Sequence, residues 1–173
     1  MAINVNRVTQ ANIYLTGTGS LLGRAEEIML PDVQAAMSDH KAIGMVGKIE
    51  LPSGLDKMEV SIKWNAIYAD VAKKFNDIFT ARQIQVRYPI ERYTSEGRTQ
   101  VQNARVALTV LPKNIPLGSF KQHDNVELTQ KFTATYFKLE IDGEVITEVD
   151  YLNNIYIVDG VDKLAPIRAA LGA

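Results

Sequence analysis

The chain has 173 residues, with 19 Lys+Arg against 20 Asp+Glu for a net charge of -1, and 46% of it is hydrophobic. That length accommodates one domain, or at most two small ones, with a full core and no covalent staples. The absence of cysteine excludes disulfides, thiolate metal sites and cysteine nucleophiles, and the balanced charge gives no bulk attraction to nucleic acid.

No basic segment followed by an apolar run opens the chain, and no stretch approaches the roughly 18 apolar residues that span a bilayer. A soluble protein without stable membrane insertion is expected. No linker or charge block divides the sequence, so a single unit over 1–173 is expected.

Residues 12–17 (NIYLTG) read as a short strand stopped by Gly17, and 23–30 as an apolar-mixed segment ending at Pro31. From 32 to 54 no period is visible, and an extended loop is predicted there; structureless stretches this long are uncommon and usually make contacts. Alternation is clean over 57–65, with Met58, Val60, Ile62 and Trp64 on one side and Lys57, Glu59, Ser61, Lys63 and Asn65 on the other. Ile67, Val71, Phe75 and Phe79, with Ile78 beside them, predict a central helix over about 66–79, capped by Asn65.

Residues 83–93 read as a strand in which Pro89 marks an edge or a bulge. Ser95–Gly97 is a turn, and 100–111 alternates again, burying Ala104, Val106, Leu108 and Val110. A second extended loop is predicted over 112–125. A long strand follows at 126–141: Phe132, Ala134 and Tyr136 share one side, then Phe137, Leu139 and Ile141 the other, which predicts a bulge near 136–137. Asp142-Gly143 is a hairpin signal leading to strands at 144–151 and 155–158. A short C-terminal helix is predicted over about 162–171, with Asp162 as its cap, Pro166 in its first turn and Gly172 past its end. Strands outnumber helices and do not alternate with them. The predicted fold class is therefore mainly β (α+β): an antiparallel sandwich or barrel-like subunit with two helices packed on it.

Chemistry is hard to find in this pattern. The glycine-rich turn at 17–23 lacks the Lys-Ser/Thr of a phosphate loop. His40 and His123 stand in polar loops, 83 positions apart, with no nucleophile beside them. No spacing supplies metal ligands, and the carboxylate pairs Glu26-Glu27 and Glu148/Asp150 read as solvated faces. No catalytic residue, metal site or cofactor is expected. What stands out is a set of polar strand faces: Lys57, Glu59, Ser61, Lys63 and Asn65; Asn103, Arg105, Ala107 and Thr109; Glu127, Thr129, Lys131, Thr133 and Thr135. They are either the solvated side of a half-buried antiparallel sheet or the wet interior of a ring built from several copies.

The C-terminal blocks TATYFKLEIDGE at 133–144, EVD at 148–150, VDGVDKL at 158–164 and RAALG at 168–172, with NIYLTG at 12–17, the Gly23 to Leu30-Pro31 spacing, KAIGM at 41–45 and LDKME at 55–59, resemble the major tail tube protein of contractile-tailed bacteriophages and the tubes of R-type bacteriocins. The resemblance runs from about Asn12 to Gly172; the 112–125 loop, PKNIPLGSFKQHDN, departs from the family's acidic pattern. It implies a β-sandwich-like subunit whose six copies form a ring. Rings stack into a hollow tube, and hairpins of neighbouring copies join into a barrel around the lumen. In a phage, DNA passes through this tube into the host.

The implied partners are the chain itself, a tail sheath outside, a baseplate or initiator and a tail terminator at the ends, and a tape measure protein followed by DNA inside. The implied location is the virion tail, assembled in the host cytoplasm. Combined with the alternation, the resemblance predicts lumen-facing positions at Glu59, Ser61, Lys63, Asn103, Arg105, Thr109, Glu127, Thr129, Lys131 and Thr133. It predicts an inter-subunit or inter-ring loop carrying His40, Lys41, Ile43, Met45, Lys48, Leu51 and Leu55. A conduit should not hold its cargo, and Lys57, Lys63, Arg105 and Lys131 run against a wall that repels phosphates. The alternatives are the tube of a bacteriocin or bacterial injection system, and a monomeric β-sandwich binding module.

Overall fold

Apolar residues at every second position, punctuated by glycine turns, give a chain dominated by antiparallel strands. The computed structural model describes residues 3–123 and 126–172. In chain order its elements are β1 (Val5–Arg7), β2 (Asn12–Leu15), β3 (Gly19–Ser20), β4 (Ala25–Met29), β5 (Ala35–His40), β6 (Ile49–Leu55), β7 (Met58–Trp64), α1 (Ala69–Phe75), β8 (Arg82–Thr94), β9 (Gly97–Pro112), β10 (Leu128–Ile141), β11 (Glu144–Asp150), β12 (Ile155–Val158), β13 (Val161–Asp162) and α2 (Ala165–Leu171).

Three long strands, β8, β9 and β10, form the frame of an eleven-stranded sheet. β7 and β11 share one edge of β10, β7 against Leu128–Ala134 and β11 against Tyr136–Ile141. β1 and β2 likewise share one edge of β8, pairing with Glu91–Tyr93 and Ile84–Arg87. Pro89 falls between those two partners, where its missing N–H costs no ladder bond. β4 continues the sheet beyond β7. The sheet curls, because Ile13 and Leu15 of β2 and Ile62 and Trp64 of β7, separated by β8, β9 and β10, belong to the same buried cluster. α1 closes this cluster with Val71 and Phe75. The Phe75 ring meets Phe132 edge-on at 4.9 Å and Trp64 at 6.1 Å.

Several boundaries differ from the sequence reading. The central helix spans only Ala69–Phe75, and Ile67, Ile78 and Phe79 are exposed. Asn65 does not cap it: its amide donates to the Gly23 carbonyl at 2.8 Å and accepts the Tyr68 hydroxyl at 2.7 Å. α2 begins at Ala165 and has no buried residue. Asp162 lies before it, accepting the Leu164 N–H at 3.0 Å and pairing with Arg168 at 2.5 Å. Pro166 and Gly172 occupy the first turn and the left-handed cap, as expected. The bulge falls at Thr135, between Ala134 and Tyr136, so Tyr136 turns to the polar side with its hydroxyl on Glu148 at 2.9 Å, while Phe137 and Leu139 continue the core.

The largest difference is at 32–54. Two parts of this stretch are regular: β5 and β6 pair as a hairpin, a separate two-stranded sheet that stands apart from the main one, with an irregular tip over 41–48. The 112–125 segment is irregular from Lys113 to His123, with one bridge from Ser119 to Glu127; its last two residues, Asp124 and Asn125, lie outside the described residues. Gly118 holds a φ of +85°, and an added Cβ would lie 2.6 Å from Val126, so this position requires glycine. At the other tight turn, Asp142 and Gly143 both have positive φ, 51° and 87°, the geometry of a two-residue hairpin turn.

Candidate assembly surfaces

The register of β7, β9 and β10 decides what the outer side of the sheet carries. Thr129 stands opposite Lys63, Lys131 opposite Ser61 and Thr133 opposite Glu59. On the other edge of β10, Thr133 faces Leu111, Tyr136 faces Thr109, Lys138 faces Ala107 and Glu140 faces Arg105. Side chains alternate along a strand, so Asn103, Arg105 and Thr109 share the face of Thr129, Lys131 and Thr133. Glu127, just before β10, reaches Lys63 at 3.2 Å. All the positions predicted to face a lumen are therefore on one side of one sheet, and the residues between them (Val60, Ile62, Phe132, Ala134, Val106 and Leu108) are core.

Sequence reasoning missed how that face is wired. Glu59 sits between Lys113 at 2.5 Å and Lys57 at 3.1 Å, and hydrogen bonds from the two ammonium groups hold its carboxyl down to about 2. Lys63 sits between Glu127 and Glu26, each at 3.2 Å; the hydrogen bond to Glu127, then that to Glu26, raises its pKa. Glu140 is only 9% exposed and takes Arg105 Nε at 2.7 Å, a second guanidinium contact, and Lys138 at 3.1 Å. Burial pushes the Glu140 carboxyl upward, but the hydrogen bonds from Arg105 and Lys138 outweigh it and leave the pKa below its ordinary value. Arg87, directly across β8/β9 from Arg105, lies over the Tyr14 ring at 4.5 Å and donates to Gln85. Lys138 and Glu140 reach this face only because the bulge at Thr135 shifts the alternation of β10 by one residue. Lys113 and Glu26, which come from a loop and a bulge, carry no signal in the alternation.

The predicted contact loop is an arm. His40, Lys41, Ile43, Met45, Lys48 and Leu51 are all exposed on it, and Ile43 and Val46 at its end are wholly so. Leu55 is the exception: it lies at the base, half-buried, and packs against the core of its own subunit. The Lys48–Asp39 pair at 2.5 Å crosses the arm, but almost none of its side chains are buried. An isolated two-stranded hairpin is marginal in water, so the arm calls for a surface to lie on. Other large apolar side chains are exposed outside the arm, among them Phe79, Leu117, Phe120, Leu152 and Leu171. That much exposed apolar surface marks contact sites. Among the described residues no cluster of His, Asp and Glu could hold a metal ion, and His40 and His123 are both exposed.

Residues 5–172 match the family model described as phage tail tube protein FII. The chain is 27% identical over 164 residues to the tail tube protein of Escherichia phage P2, covering 93% of this chain and 94% of that one. It is also 27% identical over 164 residues to the major tail tube protein of Serratia phage KSP20, covering 92% of each. Among solved structures, its fold is similar to a chain of the PVC sheath–tube complex, part of an extracellular contractile injection system in the extended state: TM-score 0.57, 10% identity, 76% of this chain and 88% of that one. A chain from the sheath/tube terminator of the same system gives a TM-score of 0.58 at 11% identity, over 78% and 95%.

Proposed function

Because the chain belongs to the phage tail tube protein FII family, we propose that it is the structural subunit of the hollow inner tube of a contractile tail. Six copies close into a ring and rings stack. The polar face of β7, β9 and β10 lines a channel through which DNA leaves the virion. The observation that carries this reading is the register that gathers Glu59, Lys63, Arg105, Thr109, Thr129, Lys131 and Thr133 on one side of a sheet whose other side is core. A head-to-tail contact that closes by rotation makes a ring, and joining sheet edges around it removes exposed edges. The arm reaches the next subunit or ring and covers Ile43 and Val46 there.

The partners follow from the same role: sheath around the outside, baseplate or initiator and terminator at the ends, a tape measure protein and then DNA within. The similarity to chains of a sheath–tube complex and of a sheath/tube terminator supports the first of these. The location is the virion tail, after assembly in the host cytoplasm, and the role involves no catalysis. The same structural similarity favours a second reading, the tube of an injection system that carries protein instead of DNA.

The mass of the purified chain in solution, followed over rising concentration with and without a baseplate initiator, tests the assembly. Species at multiples of six subunits are expected. A constant 19.2 kDa under both conditions contradicts the proposal.

A further inference from the structure

We infer that Glu26, Glu59, Glu127 and Glu140 mask the basic side chains of the polar face, so that this face lets a polyphosphate chain pass without holding it. The inference deepens the reading of that face as a channel wall and rests on it. The basic residues there look unsuited to a conduit until their partners are considered. Lys57 and Lys113 share Glu59, Arg105 and Lys138 share Glu140, and Lys63 is shared by Glu26 and Glu127. The three clusters contain five positive and four negative charges, so they present almost no net charge to the solvent side. Lys131 and Arg87 have no carboxylate partner among the described residues, and Arg87 is engaged by Tyr14 and Gln85.

Stability does not explain this wiring. Exposed ion pairs contribute about 0–1 kcal/mol each, and the carboxylates of Glu59 and Glu127 are half or more exposed. Affinity for nucleic acid, in contrast, comes from cations that displace counterions from phosphates, with a salt slope of about -0.9 per contact. An ammonium already paired must give up its carboxylate first, so a paired wall binds phosphate weakly while staying hydrated. Alternating signs at close range also cancel beyond a Debye length of about 8 Å. A chain in the middle of a channel then meets little field, and one that touches the wall finds no free cation cluster.

The test uses the full-length chain and a fluorescently labelled short DNA duplex, read by anisotropy across a salt series. Wild type is expected to show no saturable binding. The Glu59→Gln/Glu127→Gln variant frees Lys57 and Lys113 and half-frees Lys63. It should bind at low salt and lose about tenfold in affinity between 50 and 200 mM salt, as two phosphate contacts require. Adding Lys57→Gln, Lys63→Gln and Lys113→Gln should abolish that binding. All five positions are on the surface, and a single cooperative melting transition confirms that the variants are folded. Wild type binding as tightly as the double variant, or a double variant as inert as wild type, overturns the masking. The measurement does not need rings. A DNA-binding wall in a chain that assembles defeats the masking alone, and a masked face on a chain that never assembles defeats the tube alone.

Discussion

The side-chain oxygen of Gln130 accepts the indole N–H of Trp64 at 3.3 Å inside the core. Its amide donates to the Phe75 carbonyl at 3.1 Å, so one polar residue of β10 ties β7 to the end of α1. Gln130 alternates with Leu128 and Phe132 on the buried side, where an unpaired amide would be costly. Replacing it with methionine keeps the volume but strands the indole N–H. A loss of about 1–3 kcal/mol is expected from chemical denaturation. Trp64→Ala or Phe75→Ala empties the same cluster and should cost about 3–5 kcal/mol. Unchanged melting in all three variants contradicts the assigned registers of β7 and α1.

The arm should be dispensable for folding and required for assembly. Its side chains are almost all exposed, and it joins the body through the Asp56 N–H on the Gln34 carbonyl at 2.8 Å, the Tyr151 hydroxyl on the Asp56 carbonyl at 2.5 Å, and half-buried Leu55. Replacing residues 36–54 with a short Asn-Gly turn leaves those contacts in place. The expected outcome is a change in subunit stability within about 0.5 kcal/mol, as for surface positions in general, together with loss of rings and tubes. An arm-less chain that still assembles removes the arm from the interface.

Acid should weaken the fold through named carboxylates. Glu59 is held from its ordinary 4.5 down to about 2 by Lys113 and Lys57. Asp70 is likewise lowered by the hydrogen bond from Arg24, Glu91 by Arg98 and Asp162 by Arg168. A carboxyl whose folded pKa lies below its unfolded value contributes stability that is complete above the unfolded pKa and lost as pH falls through the folded one. The melting temperature of wild type should therefore fall as the pH drops from just above 4.5 to about 2, and the fall should be shallower in Glu59→Gln. Parallel curves for the two proteins contradict the role of Glu59.

Because the chain has no cysteine, a single one reports orientation. Thr129→Cys should react with both a small maleimide and a bulky polymer-linked maleimide in free subunits. In assembled tubes it should react with the small reagent alone. Equal access to both reagents in tubes places this face outside.

Much of this was legible in the residues, and the failures have physical causes. The alternation over 57–65 and 126–134 carried the face, because a strand with one side in a core places apolar residues at every second position; β7 obeys this from Met58 to Trp64, and β10 from Leu128 to Ala134 with Gln130 as the exception. The arm was invisible for the complementary reason. Neither β5 nor β6 has a buried side, so Ala35–His40 shows no period, and Pro52 and Gly54 read as loop residues although they sit in a strand. The spacing predicts too long a helix because Ile67 and Phe79 fit the apolar period of α1 without entering the core of their own subunit. Both are exposed, as apolar residues reserved for a neighbour would be. The ion-pair partners Lys113 and Glu26 depend on a loop and a bulge, where spacing carries no information about proximity.

Electron microscopy of the purified wild-type protein at high concentration, with a baseplate initiator added where the chain alone does not assemble, tests the central claim most directly. Hollow tubes of stacked six-membered rings are the expected result, with the polar face of β7, β9 and β10 on the channel when the images are reconstructed. Particles that remain single subunits in the presence of the initiator, or tubes whose channel is lined by another face, contradict the account.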